Sequence, residues 1–247
     1  PTYPGVYTMF PHDDYPSLNS LMRRLNRLNN MLGVRVSLPE HLLIANGTHV
    51  VDRGRGYNVI ETTFPISIIG ESRDGCQIIG GLKIHGNEVD DVYVSNLTIR
   101  GSKRNGVHAD LGSASVHLDN VSVENSGWCG VYVSGSQRNT MKNCNISHSK
   151  KGGLCMGTGL MTISGKDTTI HQNCTKGNSR QYGLYTMNSS SSIHLVSPLS
   201  IEICKNNGGG GNYGGHGTID IVDSEGNIIP RSIEYAREDG PTGREVM

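Results

Sequence analysis

The chain has 247 residues, 33 of them Gly, with 22 basic side chains against 22 acidic ones and aromatics at only 5%. This composition excludes a helical bundle, which would be rich in Ala, Leu, Glu and Lys, a disordered chain, which would be more charged and less apolar, and collagen, which needs Gly at every third position. Zero formal net charge argues against a nucleic-acid partner, which calls for a basic excess, and no run of eighteen apolar residues is present to span a membrane.

The N-terminus, Pro1-Thr2-Tyr3-Pro4, has neither a basic stretch nor an apolar core, so no signal peptide is expected in the chain as given. Residues 17–32 place Leu at 18, 21, 25, 28 and 32, a helical period. Ser17 is the expected N-cap and Gly33 the expected C-cap. Residues 1–33 therefore read as an arm and an amphipathic capping helix. Val34 to Val51 read as the first strands, and Pro65 to Gly70 lead into regular coils.

A repeat then takes over. Val94-Ser95-Asn96-Leu97-Thr98-Ile99 aligns with Leu118-Asp119-Asn120-Val121-Ser122-Val123, with Met141-Lys142-Asn143-Cys144-Asn145-Ile146, and with Asn173-Cys174-Thr175. A second landmark is Gly before an apolar residue, at Gly106, Gly130, Gly153 and Gly183, with Gly81-Leu82 fitting one coil earlier and Gly217-Thr218 as the candidate that follows. Leu97 to Gly106, Val121 to Gly130, Cys144 to Gly153 and Cys174 to Gly183 are each nine residues, while the return arcs from Gly106, Gly130 and Gly153 take 15, 14 and 21. One arc is fixed and the other absorbs insertions, as in a solenoid whose strands must keep register with the coil below. Within each unit Val116-His117-Leu118 and Val131-Tyr132-Val133 alternate with period two, the strand signature. The expected fold is all-β: a right-handed parallel β-helix of about 24-residue coils over residues 34–222. Gly and Asn are expected at its corners, where φ > 0 is needed, with Asn96, Asn120, Asn143 and Asn173 in one ladder. That ladder accounts for several of the N-x-S/T sequons without glycosylation. The ten residues Asn206 to Gly215 read as an inserted loop, and 223–247 as a tail that covers the last coil or reaches a partner. The six Cys form no CxxC pair, so a zinc ribbon is not expected, and Cys144 and Cys174 read as small apolar residues inside the coils.

Ile66-Ser67-Ile68-Ile69-Gly70-Glu71, followed by Ile78-Ile79-Gly80-Gly81, resembles the entry coils of the pectate-lyase-like superfamily of right-handed parallel β-helices, including the NosD-like repeat group. Tyr182-Gly183-Leu184-Tyr185 and Ser192-Ile193-His194-Leu195 are similar to β-helix repeat proteins of algae and of the large DNA viruses that infect them. The resemblance covers about residues 35–222 and implies the fold. Its members include lyases, hydrolases, epimerases, virion components and bare scaffolds, so it implies no single activity. It favours a virion or extracellular surface as the setting.

The residue after each Gly-apolar landmark is Lys83, His108, Tyr132, Cys155 or Tyr185, and two further on stand His85, Asp110, Ser134, Gly157 and Met187. The turn before each landmark carries Lys103, Arg104, Trp128, Lys150, Lys151, Arg180 and Gln181. These spacings predict one face with aromatics beside a cationic edge. Aromatic rings stack on sugars, and Lys or Arg pair with carboxylates or sulfates, so Arg104, Trp128, Tyr132, Lys150, Lys151, Arg180 and Tyr185 are the candidate binders of an acidic glycan. For an enzyme of this superfamily, His108, Asp110, Tyr132, Tyr185 and Lys83 would be the candidate catalytic set. A glycosidase needs two carboxylates, and Asp110 has no partner one coil away. A Ca²⁺ site needs converging oxygens, and neither metal nor cofactor is expected. Pro11-His12-Asp13-Asp14 and Gly215-His216-Gly217 resemble epimerase and polygalacturonase fragments but lack their context. The reading favoured is a non-enzymatic scaffold with protein neighbours or an acidic glycan as partner, able to oligomerise and lacking an acidic cleft. A polysaccharide lyase, epimerase or hydrolase is the alternative.

Overall fold

The computed structural model describes residues 6–31, 38–51 and 57–230. Gly33 and the start of the expected first strands lie outside these residues, as does the tail beyond Pro230. The chain winds into stacked coils whose strands pair in parallel, each with the strands one coil before and after. Register keeps like with like. Val94, Leu118, Met141, Ile163 and Leu195 form one inward column. Ile78, Ile99, Val123, Ile146 and Ile170 form a second, and Leu82, Val107, Val131, Leu154 and Leu184 a third. All are buried. Each such side chain contributes about 1.5–3 kcal/mol on leaving water, and three short strands per coil suffice because every coil buries its neighbour's face.

The corners differ from expectation in two ways. Asn96, Asn120 and Asn143 do take left-handed φ of 54°, 54° and 51°, and Asn120 Nδ2 donates to Asn96 Oδ1 at 2.9 Å. Asn173 does not join them. Ile170 pairs with Ile146, so Asn173 falls opposite Ser149, whose N–H it accepts at 3.0 Å, and it stacks with Asn207 one coil further on. Ile146 to Gly153 is seven residues but Ile170 to Gly183 is thirteen, so this coil's insertion lies in the arc that the sequence marks as fixed. The corner glycines also have a different cause. Gly106, Gly130 and Gly153 are not among the residues with positive φ. They are glycines because a Cβ there would collide with Val123, Ile146 and Ile170 respectively.

The helix spans Leu18–Asn29, with Ser17 as N-cap in a reciprocal capping box with Ser20 and Asn30 as C-cap. Leu18, Leu21, Met22 and Leu25 are buried against the first coils. Its polar side holds more than the pattern indicates. Asn26 Nδ2 donates to Glu61 O at 2.8 Å, Asn26 Oδ1 accepts from Thr63 N–H at 3.1 Å, and Asn29 Nδ2 donates to Thr63 O at 3.1 Å. The helix thus supplies partners along the edge of strand Val59–Thr62, at Glu61 O and at Thr63 just beyond it. The sheet itself begins before the helix: Tyr7–Phe10 pairs in parallel with His41–Ile44. At the other end Tyr213–Gly215, inside the stretch expected as a loop, pairs with Leu184–Thr186, so Asn212 and not Gly217 takes the place of Gly183. Thr218–Val222 is the last strand among the described residues, and a turn at Asp223 returns Ile228 antiparallel to Val222.

Candidate functional site

The predicted outward column exists in register: Lys83, His108, Tyr132, Cys155 and Tyr185 are direct partners across successive coils. Between the two tyrosines the column carries Cys155, which is buried. Two positions further on, Gly157 replaces a side chain, and a Cβ there would stand 3.0 Å from Tyr132 Oη. Small residues thus leave a hollow of about 320 Å³, lined by Asn105, His108, Asp110, Trp128, Cys129, Tyr132, Lys151, Cys155, Gln181, Tyr185 and Met187. The hollow forms because the parallel stack repeats every coil, so one small residue in a column of large ones leaves its volume empty.

Its polar groups are spread around the rim. His108 Nδ1 lies 3.2 Å from Asn105 Nδ2. Its Nε2 is 2.9 Å from Asp110 Oδ1 but out of line, and makes no hydrogen bond. Tyr132 meets His108 edge-on with centroids 5.1 Å apart. Burial, followed by the Asp110 charge, pushes the Tyr132 phenol up, and burial does the same for Tyr185. Both phenols therefore stay neutral hydrogen-bonding groups at ordinary pH.

The cationic edge is a second column. Trp128 N–H donates to Arg104 O, and Lys151 N–H to Trp128 O, each at 3.0 Å, so the three residues stack in successive coils. The Arg104 guanidinium stands 4.8 Å and Lys151 Nζ 4.4 Å from the Trp128 ring. Such contacts contribute about 0.5–1 kcal/mol each at exposed sites. Arg104 also covers Tyr57 at 3.7 Å and hydrogen-bonds its hydroxyl. The predicted set is therefore divided. His108, Asp110, Trp128, Tyr132, Lys151 and Tyr185 converge on the hollow, whereas Lys83, Arg104, Lys150 and Arg180 do not line it. Lys150 is exposed and belongs to the Ser126 position of the coil below, one residue off the Trp128 column. Asn105 and Cys129 join the lining although the landmarks do not single them out; their signal was adjacency to Gly106 and Gly130.

The flank formed by the first strand of each coil carries an arrangement that no motif in the sequence marks. Tyr93, His117 and Thr140 are in register. His117 stacks on Tyr93 at 4.4 Å and 17°, its Nε2 is 3.0 Å from Asp91 Oδ1, and its Nδ1 is 2.9 Å from Thr140 Oγ1. Arg138 clamps Asp91 at 2.9 Å and also donates to Glu88 O and Asp90 O. Burial works to raise the Asp91 carboxyl, but the hydrogen bonds from His117 and Arg138 and the Arg138 charge outweigh it and hold it below the usual range. Glu40, Asp90 and Asp91 line an open depression of about 380 Å³ here, with His41 and Tyr93. An acidic depression is therefore present, contrary to the expectation of none. Its carboxylates do not converge: among the described residues no group of three or more His, Cys, Asp or Glu is suited to a metal ion. His12 is engaged locally, accepting from Asp14 N–H at 3.1 Å. Among the described residues no helix is long and apolar enough to cross a membrane.

Stacked parallel coils, three strands to a turn, with ladders of like side chains inside and a hollow on one flank, define a parallel β-helix. The chain belongs to the right-handed β-helix family: the family described as "right handed beta helix region" matches residues 80–229. No curated protein and no solved structure gives a match.

Proposed function

We propose that the protein is a non-enzymatic β-helix scaffold whose flank hollow binds an acidic glycan. The observation that carries this reading is the convergence of Trp128, Tyr132 and Tyr185 with Lys151 and the His108–Asp110 pair around one hollow of about 320 Å³. The rings supply stacking faces, the neutral phenols and Gln181 supply hydrogen bonds, and Lys151 supplies the charge that selects a carboxylate or sulfate. Arg104 and Arg180 add positive potential beside it without touching the sugar. The setting we propose is an extracellular or virion surface, supported by the resemblance of residues 35–222 to algal and viral repeat proteins. The test is titration with oligogalacturonate or a sulfated oligosaccharide. Binding is expected to weaken about ten-fold or more in Lys151→Ala or Tyr185→Ala and to fall with added salt, and neutral oligosaccharides should not bind.

A polysaccharide-active enzyme is the second reading, favoured by one observation, the depression lined by Glu40, Asp90 and Asp91. Glycoside cleavage needs a protonated carboxyl beside an ionised one. Asp91, clamped by Arg138 and His117, is held ionised and cannot give that proton. Release of reducing ends or unsaturated uronate, lost in Asp91→Asn, would favour this reading.

A further inference from the structure

The six cysteines are free and buried, but they fall into two groups. Burial pushes the thiol of Cys76 up to about 11 and those of Cys144 and Cys174 to about 12, and raises Cys204 further. Such thiols are inert at neutral pH. Cys129 and Cys155 differ in position first. They lie in successive coils. Gly130 N–H donates to Gly152 O at 3.0 Å, which lays Gly152 over the Cys129–Gly130 backbone. Cys155 Sγ rests against Gly152, where a Cβ would approach it to 2.5 Å. Any side chain at residue 152 would meet the Cys155 sulfur, so Gly there leaves that sulfur its place over the Cys129 segment. Both cysteines line the flank hollow, and Lys151 lines it beside them.

The electrostatics agree with this placement. The hydrogen bond shared with Cys155 holds the Cys129 thiol below its ordinary range, against burial, with the Gly152 backbone and the Lys151 ammonium assisting. The same bond, together with burial, raises Cys155. Of the two, Cys129 is the thiol that gives up its proton more readily.

We propose that Cys129 and Cys155 form a reactive dithiol, reached through the flank hollow, that reduces small hydroperoxides and closes to a disulfide. The Cys129 thiolate attacks the outer peroxide oxygen. The S–O bond forms, the O–O bond breaks, and the departing alkoxide or hydroxide takes a proton from water. Cys155, deprotonated in turn, attacks the sulfenic sulfur. The S–S bond forms, the S–O bond breaks, and the oxygen leaves as water. Two thiols lose two electrons and two protons, and the hydroperoxide becomes an alcohol, or water, plus a second water. This chemistry is independent of the glycan reading, since neither step needs a sugar in the hollow.

The full chain, reduced and folded, is treated with a small molar excess of hydrogen peroxide at neutral pH and mapped by peptide mass. The expected product is a Cys129–Cys155 linkage lighter by two hydrogens and reopened by dithiothreitol, with Cys76, Cys144, Cys174 and Cys204 unchanged. In the untreated protein, iodoacetamide should label Cys129 about ten-fold or more faster than Cys76 at pH 7. Cys155→Ser should leave Cys129 as a sulfenic acid that a dimedone probe captures. If that variant does not fold, the two measurements on the unaltered protein decide alone. Labelling of Cys129 no faster than Cys76, no linked peptide, or linkage through another cysteine would overturn the proposal. Each of these results would leave glycan binding untouched.

Discussion

Gly130 shows how little room a single position has. Its Cα packs against Ile146, and a Cβ there would also stand 2.8 Å from Gly153 O. Gly130→Ala is expected to destabilise the fold by about 1–3 kcal/mol through overpacking. Thermal unfolding checks this, and the double variant Gly130→Ala/Ile146→Val should recover part of the loss, because removing a methyl returns the volume. The sequence placed this glycine at a corner correctly but for the wrong reason, since a missing side chain leaves the same letter whether φ or space demands it. Asp91 gives a second prediction at this scale. Its folded value is depressed, so it contributes stability that is present above the ordinary carboxylate value of about 3.9 and is lost as pH falls through the lower folded value. Asp91→Asn should cost about 1–2 kcal/mol near pH 7. It should also flatten the loss of stability below about pH 4, measured by denaturant unfolding across pH. Nothing in the sequence flagged Asp91: its partners His117 and Arg138 are 26 and 47 residues away, and only the stacking of coils joins them.

At the scale of elements, the strands with period two were legible from Cys76 onward because each repeats the last. The helix was legible from its leucines and its Ser17 cap. The strand Tyr7–Phe10 was not, because four residues ahead of a helix carry no periodicity of their own and find their partner, His41–Ile44, more than thirty residues later. The role of the helix was only half visible. Its leucines announce the buried face, but Asn26 and Asn29 reveal themselves only when the edge of Val59–Thr62 is beside them. Asn26→Ala leaves Glu61 O and Thr63 N–H without their partner and should cost about 1–2 kcal/mol. Amide hydrogen exchange should show that loss first in Thr63 and the strand before it, with the coils beyond Val107 unaffected. Uniform loss of protection along the solenoid would mean that the helix is part of one global unit and not a local cap.

For the molecule as a whole, function follows from what stacking does to a column of side chains. A strict repeat makes flanks of like residues, and one departure from it, Cys155 between Tyr132 and Tyr185, opens a hollow. The sequence located that column, because the Gly-apolar landmark fixes which residue faces outward. It could not locate the hollow's rim. Lys150 and Lys151 are neighbours in sequence, yet only Lys151 stacks under Trp128 and enters the site. Trp128 is the single tryptophan of the chain, so its fluorescence reports on this hollow alone. Titrating the protein with an acidic oligosaccharide while following that emission tests whether the hollow binds a glycan. A saturable change is expected, weakened by salt and by Tyr185→Ala, with the oligosaccharide recovered intact. An unchanged emission, an equal response to neutral sugars, or a shortened oligosaccharide in the recovered sample would contradict it.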